Sequence, residues 1–217
     1  MSLEFKVVDA FTDKPFSCNP AAVIILPEDH AYPYETLLGI AAEFNLSETA
    51  YITVPKKHNV TSDGYPTFGL RWFTPTQEFK LCGHATLASS SVLFADEKLV
   101  PKDVHQIQFS TLAGILTARR ILSESGGAPR FEIELPASDI DQTSEEVVKK
   151  AREVVLRATS ADVSVQYVGV CSSMMYEWYM LIEIDGKVPL KGMKVNSGIL
   201  VRYFLSLTIR GKLTCSG

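Results

Sequence analysis

Cysteines, long hydrophobic runs and targeting segments are scarce in this 217-residue chain. The four cysteines are widely spaced and form no Cys-x-x-Cys pair: Cys18, Cys82, Cys171 and Cys215. This spacing disfavours a disulfide scaffold or a zinc site and favours a reduced, cytoplasmic protein. The longest unbroken aliphatic run covers only residues 21–26, whereas a transmembrane helix needs about 20 apolar residues. No secretory signal is recognisable at the start, and no membrane partner is expected.

Concentrated positive charge is also absent. The chain has 21 Lys and Arg against 25 Asp and Glu, a net charge of −4, and no basic run on any one segment, so no nucleic-acid partner is predicted. Hydrophobic residues make up 46% of the chain, which is typical of a globular protein and disfavours disorder.

The familiar cofactor and metal motifs are missing as well. The sequence contains no P-loop, no GxGxxG after a strand, no GxSxG elbow and no HExxH. Its four histidines are scattered, which gives a metal site little support. We therefore expect no metal and no cofactor, and enzyme is the leading class.

The pattern of apolar residues predicts an α+β fold. Leu37, Ile40, Ala41 and Phe44 have the spacing of an amphipathic helix over residues 34–44, which Asn45 can close in the left-handed conformation. Thr143 and Glu146 form a candidate capping box for a helix that ends near residue 157. Strands are predicted at residues 4–9, 21–26, 50–54, 67–73, 105–111, 115–122, 131–135, 163–170 and 178–184. Since strands and helices do not alternate regularly, α+β is favoured, with lobes at residues 1–122 and 123–217.

Residues 85–94 form an unusual segment because they are small and apolar and contain no charged residue. A helix without a charged face is normally buried on nearly all sides. This helix is predicted to begin just after Gly83 and His84, so that the free N–H groups of its first turn point beyond Gly83.

That helix start is the most informative candidate site. Gly83 allows a ligand to approach the backbone, and the free N–H groups suit a carboxylate or a developing enolate oxygen. His84 can add a hydrogen bond or a proton, or can simply cap the helix. Cys82 is either a small buried residue or a thiol whose pKa is lowered by the helix start.

Glu48 follows a predicted helix end and precedes an apolar strand. Partly desolvated there, its carboxylate would have a raised pKa and could exchange protons near neutrality. The alternative is that Ser47, Glu48 and Thr49 form a solvated turn. Arg71 could pair with a substrate carboxylate or decorate a solvent face, and Asn19 could flank the site or serve as a turn residue.

Taken together and in this order, four local patterns resemble the PhzF family of phenazine biosynthesis-like isomerases. They are Asp9-Ala10-Phe11-Thr12 with Asn19-Pro20-Ala21-Ala22-Val23, Asn45-Leu46-Ser47-Glu48-Thr49, Arg71-Trp72-Phe73-Thr74-Pro75 and Leu81-Cys82-Gly83-His84-Ala85-Thr86. The resemblance is specific over residues 5–94 and looser to about residue 136. It implies a diaminopimelate epimerase-like fold, with two lobes that are each a barrel-like sheet around a central helix.

The resemblance also implies roles for individual residues. Glu48 matches the acid/base glutamate, and Gly83 and His84 match the substrate-contacting pair, with Asn19 and Ser47 as further substrate-binding residues. The expected partner is a small carboxylate-bearing metabolite, and a homodimer is left open.

The second half of the chain departs from the family pattern. The resemblance implies a Glu-Asp-Pro motif followed by Thr-Gly-Ser that faces the glutamate, and this sequence contains neither. We interpret the chain as one complete lobe and part of a second. Two alternatives to a Glu48 isomerase are therefore kept: a non-catalytic binding or scaffold protein, which includes an inactive truncated isoform, and a cysteine-based epimerase that pairs Cys82 with Cys215.

Overall fold

The computed structural model describes residues 3–55, 64–122, 127, 129–159, 162–171, 179–189 and 192–200. The chain divides into two compact units, of which the first ends at Pro136 and the second begins at Ala137. The elements of the first unit are β1 (Phe5–Ala10), β2 (Asn19–Pro27), α1 (Tyr34–Phe44), β3 (Glu48–Val54), β4 (Thr67–Phe73), β5 (Glu78–Phe79), α2 (Gly83–Ala95), β6 (Gln106–Thr111), β7 (Gly114–Ile121) and β8 (Arg130–Glu134). Those of the second are β9 (Ile140–Gln142), α3 (Glu145–Ala158), β10 (Val165–Cys171) and β11 (Met180–Ile184). The predicted α+β class is confirmed.

The first unit is a curled sheet around one helix. Its strand order is β1-β2-β3-β4-β6-β7-β8, with β5 paired to β4. Although β1 and β8 lie at opposite ends of this order, both contact α2, as do β2, β3 and β7. The sheet therefore wraps around α2, which is the barrel-like arrangement that the family resemblance implies.

Apolar residues cover both faces of the middle strands. β2 and β3 run parallel because α1 connects them as a crossover helix. On the outer face, Ile24, Tyr51 and Phe73 pack with Leu37 and Ala41 of α1. The inner face packs around α2, with buried side chains that include Val23, Ala50, Ile52, Leu70 and Trp72. This division into two faces decides which side chains can reach the helix start.

α2 confirms the prediction of a central buried helix and corrects its details. Most of its residues are buried, among them Ala85, Ala88 and Leu93, whereas Leu87 is only partly buried. The helix begins at Gly83 rather than after His84, and Cys82 is its N-cap residue. Gly83 and His84 therefore belong to the first turn itself.

The boundary between the units lies later than the sequence suggested. Residues 1–122 were expected to form the first lobe, yet β8 pairs with β7 in the register Ala118↔Ile133. Its Phe131 and Ile133 pack against the core around α2. Because this strand belongs to the first sheet, the first unit extends to Pro136.

The second unit has a three-stranded sheet of order β11-β10-β9. Val148, Ala151 and Val155 of α3 pack with Val165 and Val168 of β10. The short strand β9 has no counterpart among the predicted strands, and Trp178, with which the last predicted strand begins, lies outside the described residues. Among the described residues, no helix combines the length and apolar character needed to cross a membrane.

The N-cap of α3 differs from the predicted capping box. Ser144, not Thr143, is the N-cap residue, and its side chain accepts a hydrogen bond from the Val147 N–H at 3.4 Å. Ser144 has the extended backbone typical of an N-cap, which allows its side chain to reach an N–H group of the first turn.

We therefore expect Ser144→Ala to destabilise the second unit by about 1 kcal/mol, because one N–H group of the first turn loses its partner. Thr143→Ala is the matched control and should change stability by less than about 0.5 kcal/mol. Urea unfolding monitored by far-UV circular dichroism measures both. A larger loss for Thr143→Ala than for Ser144→Ala would restore the capping box of the sequence prediction.

Candidate active site

Glu48 is the first residue of β3 and lies beside Ala21 of the parallel strand β2. Side chains alternate along a strand, so Glu48 shares a face with Ala50 and Ile52. Both of these pack in the core around α2. The register of β3 therefore turns the Glu48 carboxylate inward, toward the start of the central helix.

The Glu48 side chain is buried, with 7% of its surface exposed. Its Oε2 atom is buried without a hydrogen-bond partner. Desolvation raises the pKa of Glu48 from 4.5 to about 7, and the nearby Cys82 side chain opposes this rise. The solvated-turn alternative is wrong for Glu48, although Ser47 itself is exposed.

Cys82 is buried and lies between Glu48 and His84. Its Sγ atom is 3.3 Å from Nδ1 of His84. Desolvation, followed by the nearby Glu48 charge, raises the pKa of the Cys82 thiol to about 12, although the backbone N–H groups of Ala85 and His84 act in the opposite direction. The helix start therefore does not produce a thiolate near neutral pH.

A chain of polar contacts extends from His84 toward the surface. The Oγ atom of Ser47 is 3.3 Å from Nε2 of His84. The same hydroxyl is 2.9 Å from Oδ1 of Asn19 and 3.2 Å from the carbonyl oxygen of Pro20. Desolvation lowers the pKa of His84, and a hydrogen bond to the Pro20 carbonyl opposes this. The imidazole is thus neutral near neutral pH.

Gly83 opens the first turn of α2 and is partly buried. The first backbone bond within this turn is donated by the Thr86 N–H to the Cys82 carbonyl. The N–H groups of the preceding residues have no partner inside the helix, and the first turn carries no acidic side chain. This end of α2 can therefore accept an anionic group of a ligand.

The structure brings five of the predicted site residues together with Cys82: Asn19, Ser47, Glu48, Gly83 and His84. Arg71 lies elsewhere. It pairs with Tyr51 across β3 and β4, so its side chain shares the outer face with Phe73. There it forms two hydrogen bonds with the Glu78 carboxylate, at 2.7 and 2.9 Å. Arg71 is therefore not brought to the Glu48 face.

The Pro20 carbonyl is the partner that sequence reasoning missed. A backbone acceptor carries no residue signature, and only the pairing of β2 with β3 places it beside Ser47. Cys215 lies outside the described residues. Within the described part of the chain, no group of three or more His, Cys, Asp or Glu side chains is arranged to hold a metal ion.

The protonated state of Cys82 predicts its reactivity. We expect iodoacetamide to modify the exposed Cys18 at least about tenfold faster than Cys82 near neutral pH, because only a thiolate reacts and burial limits access. Peptide mass spectrometry over time gives both rates. In urea the two rates should converge, whereas fast alkylation of Cys82 in the folded chain would contradict its assignment as a neutral thiol.

The curled sheet and the site at the end of its central helix define a mixed α+β protein with an epimerase-like fold. A Pseudomonas aeruginosa protein described as a predicted epimerase has a similar structure, with a TM-score of 0.68 over 95% of this chain and 67% of that chain. The two sequences are 18% identical, so this likeness shows the fold alone.

A family model described as "Phenazine biosynthesis-like protein" (PhzC-PhzF) matches residues 8–197. The chain belongs to this family. It is 47% identical over 122 residues to a phenazine biosynthesis-like domain-containing protein of Bos taurus and 42% identical over 120 residues to an uncharacterized isomerase of Halalkalibacterium halodurans.

These two matches cover 55% of this chain and 40% of each relative. The chain therefore aligns with less than half the length of these relatives. The Halalkalibacterium halodurans relative is named an isomerase.

Proposed function

We propose that this chain carries the proton-transfer half-site of a PhzF-type isomerase that acts on a small carboxylate-bearing metabolite. Glu48 is the general base and then the general acid. Gly83 and the first turn of α2 hold negative charge, and His84, Ser47 and Asn19 contact the substrate. No cofactor takes part in this scheme.

The observation that carries the proposal is the environment of Glu48. Its carboxyl group has a pKa of about 7 and a buried oxygen, Oε2, without a hydrogen-bond partner. Near neutral pH such a group is present both as carboxylate and as carboxylic acid, so it can accept a proton and return it. A structural glutamate would instead have both oxygens satisfied by fixed partners.

The proposed reaction proceeds in two proton transfers. The Glu48 carboxylate removes a proton from a carbon next to a carbonyl or unsaturated group, and the electron pair moves into the conjugated system. The N–H groups at the start of α2 stabilise the resulting negative charge. Protonated Glu48 then donates the proton to a different carbon, which leaves an isomer of the substrate. A positioned acid/base group of this kind contributes about 10²- to 10⁴-fold to the rate.

Glu48 is favoured over Cys82 as the proton carrier. A thiol with a pKa of about 12 is almost entirely protonated near neutral pH and is a poor base. The cysteine-based epimerase remains the weaker proposal, because it also needs a second thiol opposite Cys82.

A binding protein without turnover is the second candidate function. The absence from the sequence of a Glu-Asp-Pro and Thr-Gly-Ser pair favours it, since the family resemblance places these residues opposite the glutamate. In that case the start of α2 would hold a carboxylate ligand, but no proton would move.

Deuterium uptake tests the proposed function. Incubated in D₂O with a small conjugated hydroxy acid, the chain is expected to incorporate solvent deuterium into the acid, and Glu48→Gln is expected to lower this rate by about 10²-fold or more. Glutamine keeps the shape but cannot exchange a proton. Glu43→Gln, at an exposed position of α1, is the matched control and should exchange as the parent does. Exchange that survives in Glu48→Gln would remove Glu48 from the mechanism.

An extended chain separates the two candidate functions. We expect far faster exchange when the chain is extended with the corresponding residues of the Bos taurus relative, because a second lobe would desolvate and clamp the substrate. Equal rates would show that the second lobe is dispensable. Binding of the hydroxy acid without exchange in either form would favour the binding protein.

A further inference from the structure

β1 is an edge strand of the first sheet. Among the described residues it pairs with β2 alone, in a register that includes Phe5↔Ile24 and Lys6↔Val23. An edge strand presents a row of backbone N–H and C=O groups that can pair with another strand. We propose that the edge of β1 pairs antiparallel with β1 of a second copy of this chain and so forms a two-fold symmetric dimer. This inference is independent of the proposed function.

The outer face of β1 carries an exposed apolar stripe. Phe5 and Val7 each have 53% of their surface exposed. The Phe5 ring contacts Phe44 of α1 edge-on, with ring centroids 4.7 Å apart, and Leu3 packs in the cluster that includes Phe44. Side chains two residues apart share a face of a strand, so Val7 continues this stripe. Exposed apolar side chains along an unpaired edge are typical of a surface that takes up a partner.

The inner face of the same edge is charged. Glu4 and Lys6 share this face with Val8, which packs against the core around α2. Both charged side chains are exposed. They line a groove together with Val92 and Leu99, so the start of β1 is not packed tightly against α2. The edge therefore has room for a second strand on this side as well.

Charge decides the register of the pairing. Residues that lie opposite each other in an antiparallel pair point to the same face, so the two-fold axis must pass beside a single residue. With the axis at Phe5, Glu4 of each copy lies opposite Lys6 of the other. Leu3 then lies opposite Val7. An axis at Glu4 or Lys6 would place like charges opposite each other, and an axis at Val7 would leave both charges without an opposite partner. Phe5 is therefore the centre of the dimer.

The interface is small. Residues 3–7 form one side of it, whereas a stable interface has roughly 20–30 residues a side. Two exposed ion pairs, one aromatic pair and the backbone hydrogen bonds of one strand pair hold the copies together. We therefore expect a weak dimer that forms as concentration rises, with a dissociation constant on the order of 10–100 µM.

Sedimentation equilibrium of the 217-residue chain between about 5 and about 500 µM measures this dimer. Glu4→Lys and Lys6→Glu each place like charges at both ion pairs and are expected to weaken the dimer at least about tenfold. The double variant exchanges the two charges and should recover the dissociation constant of the parent. Lys149→Glu, at an exposed position of α3, is the matched control and should dimerise as the parent does.

An equimolar mixture of Glu4→Lys and Lys6→Glu gives the sharpest test. The first variant is basic at both positions and the second is acidic at both, so the mixture should dimerise where neither variant does alone. Single variants that dimerise like the parent, or a mixture and a double variant that both stay monomeric, would overturn the proposal. A parent that stays monomeric at every concentration would also overturn it, and would leave this edge to a further part of a longer chain or to another protein.

Discussion

Glu48→Gln is expected to be more stable than the parent at pH 8 and about as stable as the parent at pH 4. The pKa of Glu48 is raised from 4.5 to about 7, so the folded chain binds this proton more tightly than the unfolded chain. The stability contributed by the protonated acid is fully present below pH 4.5 and is lost as the pH rises through 7. Glutamine carries no such penalty, which predicts a gain of about 3 kcal/mol at alkaline pH.

Urea unfolding of both proteins at several pH values measures this difference. Glu43→Gln, at an exposed position, is the control and should follow the parent within about 0.5 kcal/mol at every pH. If the free energies of unfolding of the parent and of Glu48→Gln change in parallel from pH 4 to pH 8, Glu48 titrates at its ordinary pKa and is not desolvated. Such a gain in stability on removal of Glu48 is expected where the requirements of function and of stability oppose each other.

Leu93→Asp should unfold the first unit. Leu93 is fully buried in the core around α2, among apolar side chains. An unpaired buried charge costs several kcal/mol, which is comparable to the whole stability of a domain. The loss of near-UV circular dichroism and of a cooperative melt would show the effect.

Two further variants make the result specific to burial. Ala95→Asp lies at the exposed end of the same helix and should cost less than about 1 kcal/mol. Leu93→Met keeps the core apolar and should also remain folded. If Leu93→Asp melts like the parent, the helix is not at the centre of the sheet.

The sequence predicted α1 and α2 because the burial of each helix follows from the residue pattern within its own segment. The apolar spacing of α1 matches its observed bounds, and Asn45 adopts the left-handed conformation at its end, with φ of 50°. The missing charges of α2 predicted a helix buried on nearly all sides, because a helix without a polar face is normally buried. In both cases the information lies within one segment of the chain.

The remaining features depend on contacts between distant segments. Glu48 is buried because the parallel register of β2 and β3 turns it toward α2, and no local pattern distinguishes it from a solvated glutamate. Arg71 lies on the opposite face because the register of β3 and β4 pairs it with Tyr51, which packs on the outer face. The pairing of β8 with β7 moves the unit boundary to Pro136, although a turn-rich segment separates these strands in the sequence.

The midpoint of the Glu48 titration is the measurement that tests the central claim most directly. A carboxyl-carbon NMR titration of the parent chain, with Glu48→Gln used to assign the resonance, reports this one group without any substrate. We predict a midpoint near pH 7, because the side chain is buried with one oxygen unpaired. A midpoint near the ordinary value of 4.5 would show a solvated carboxylate and would contradict the role of Glu48 as proton carrier.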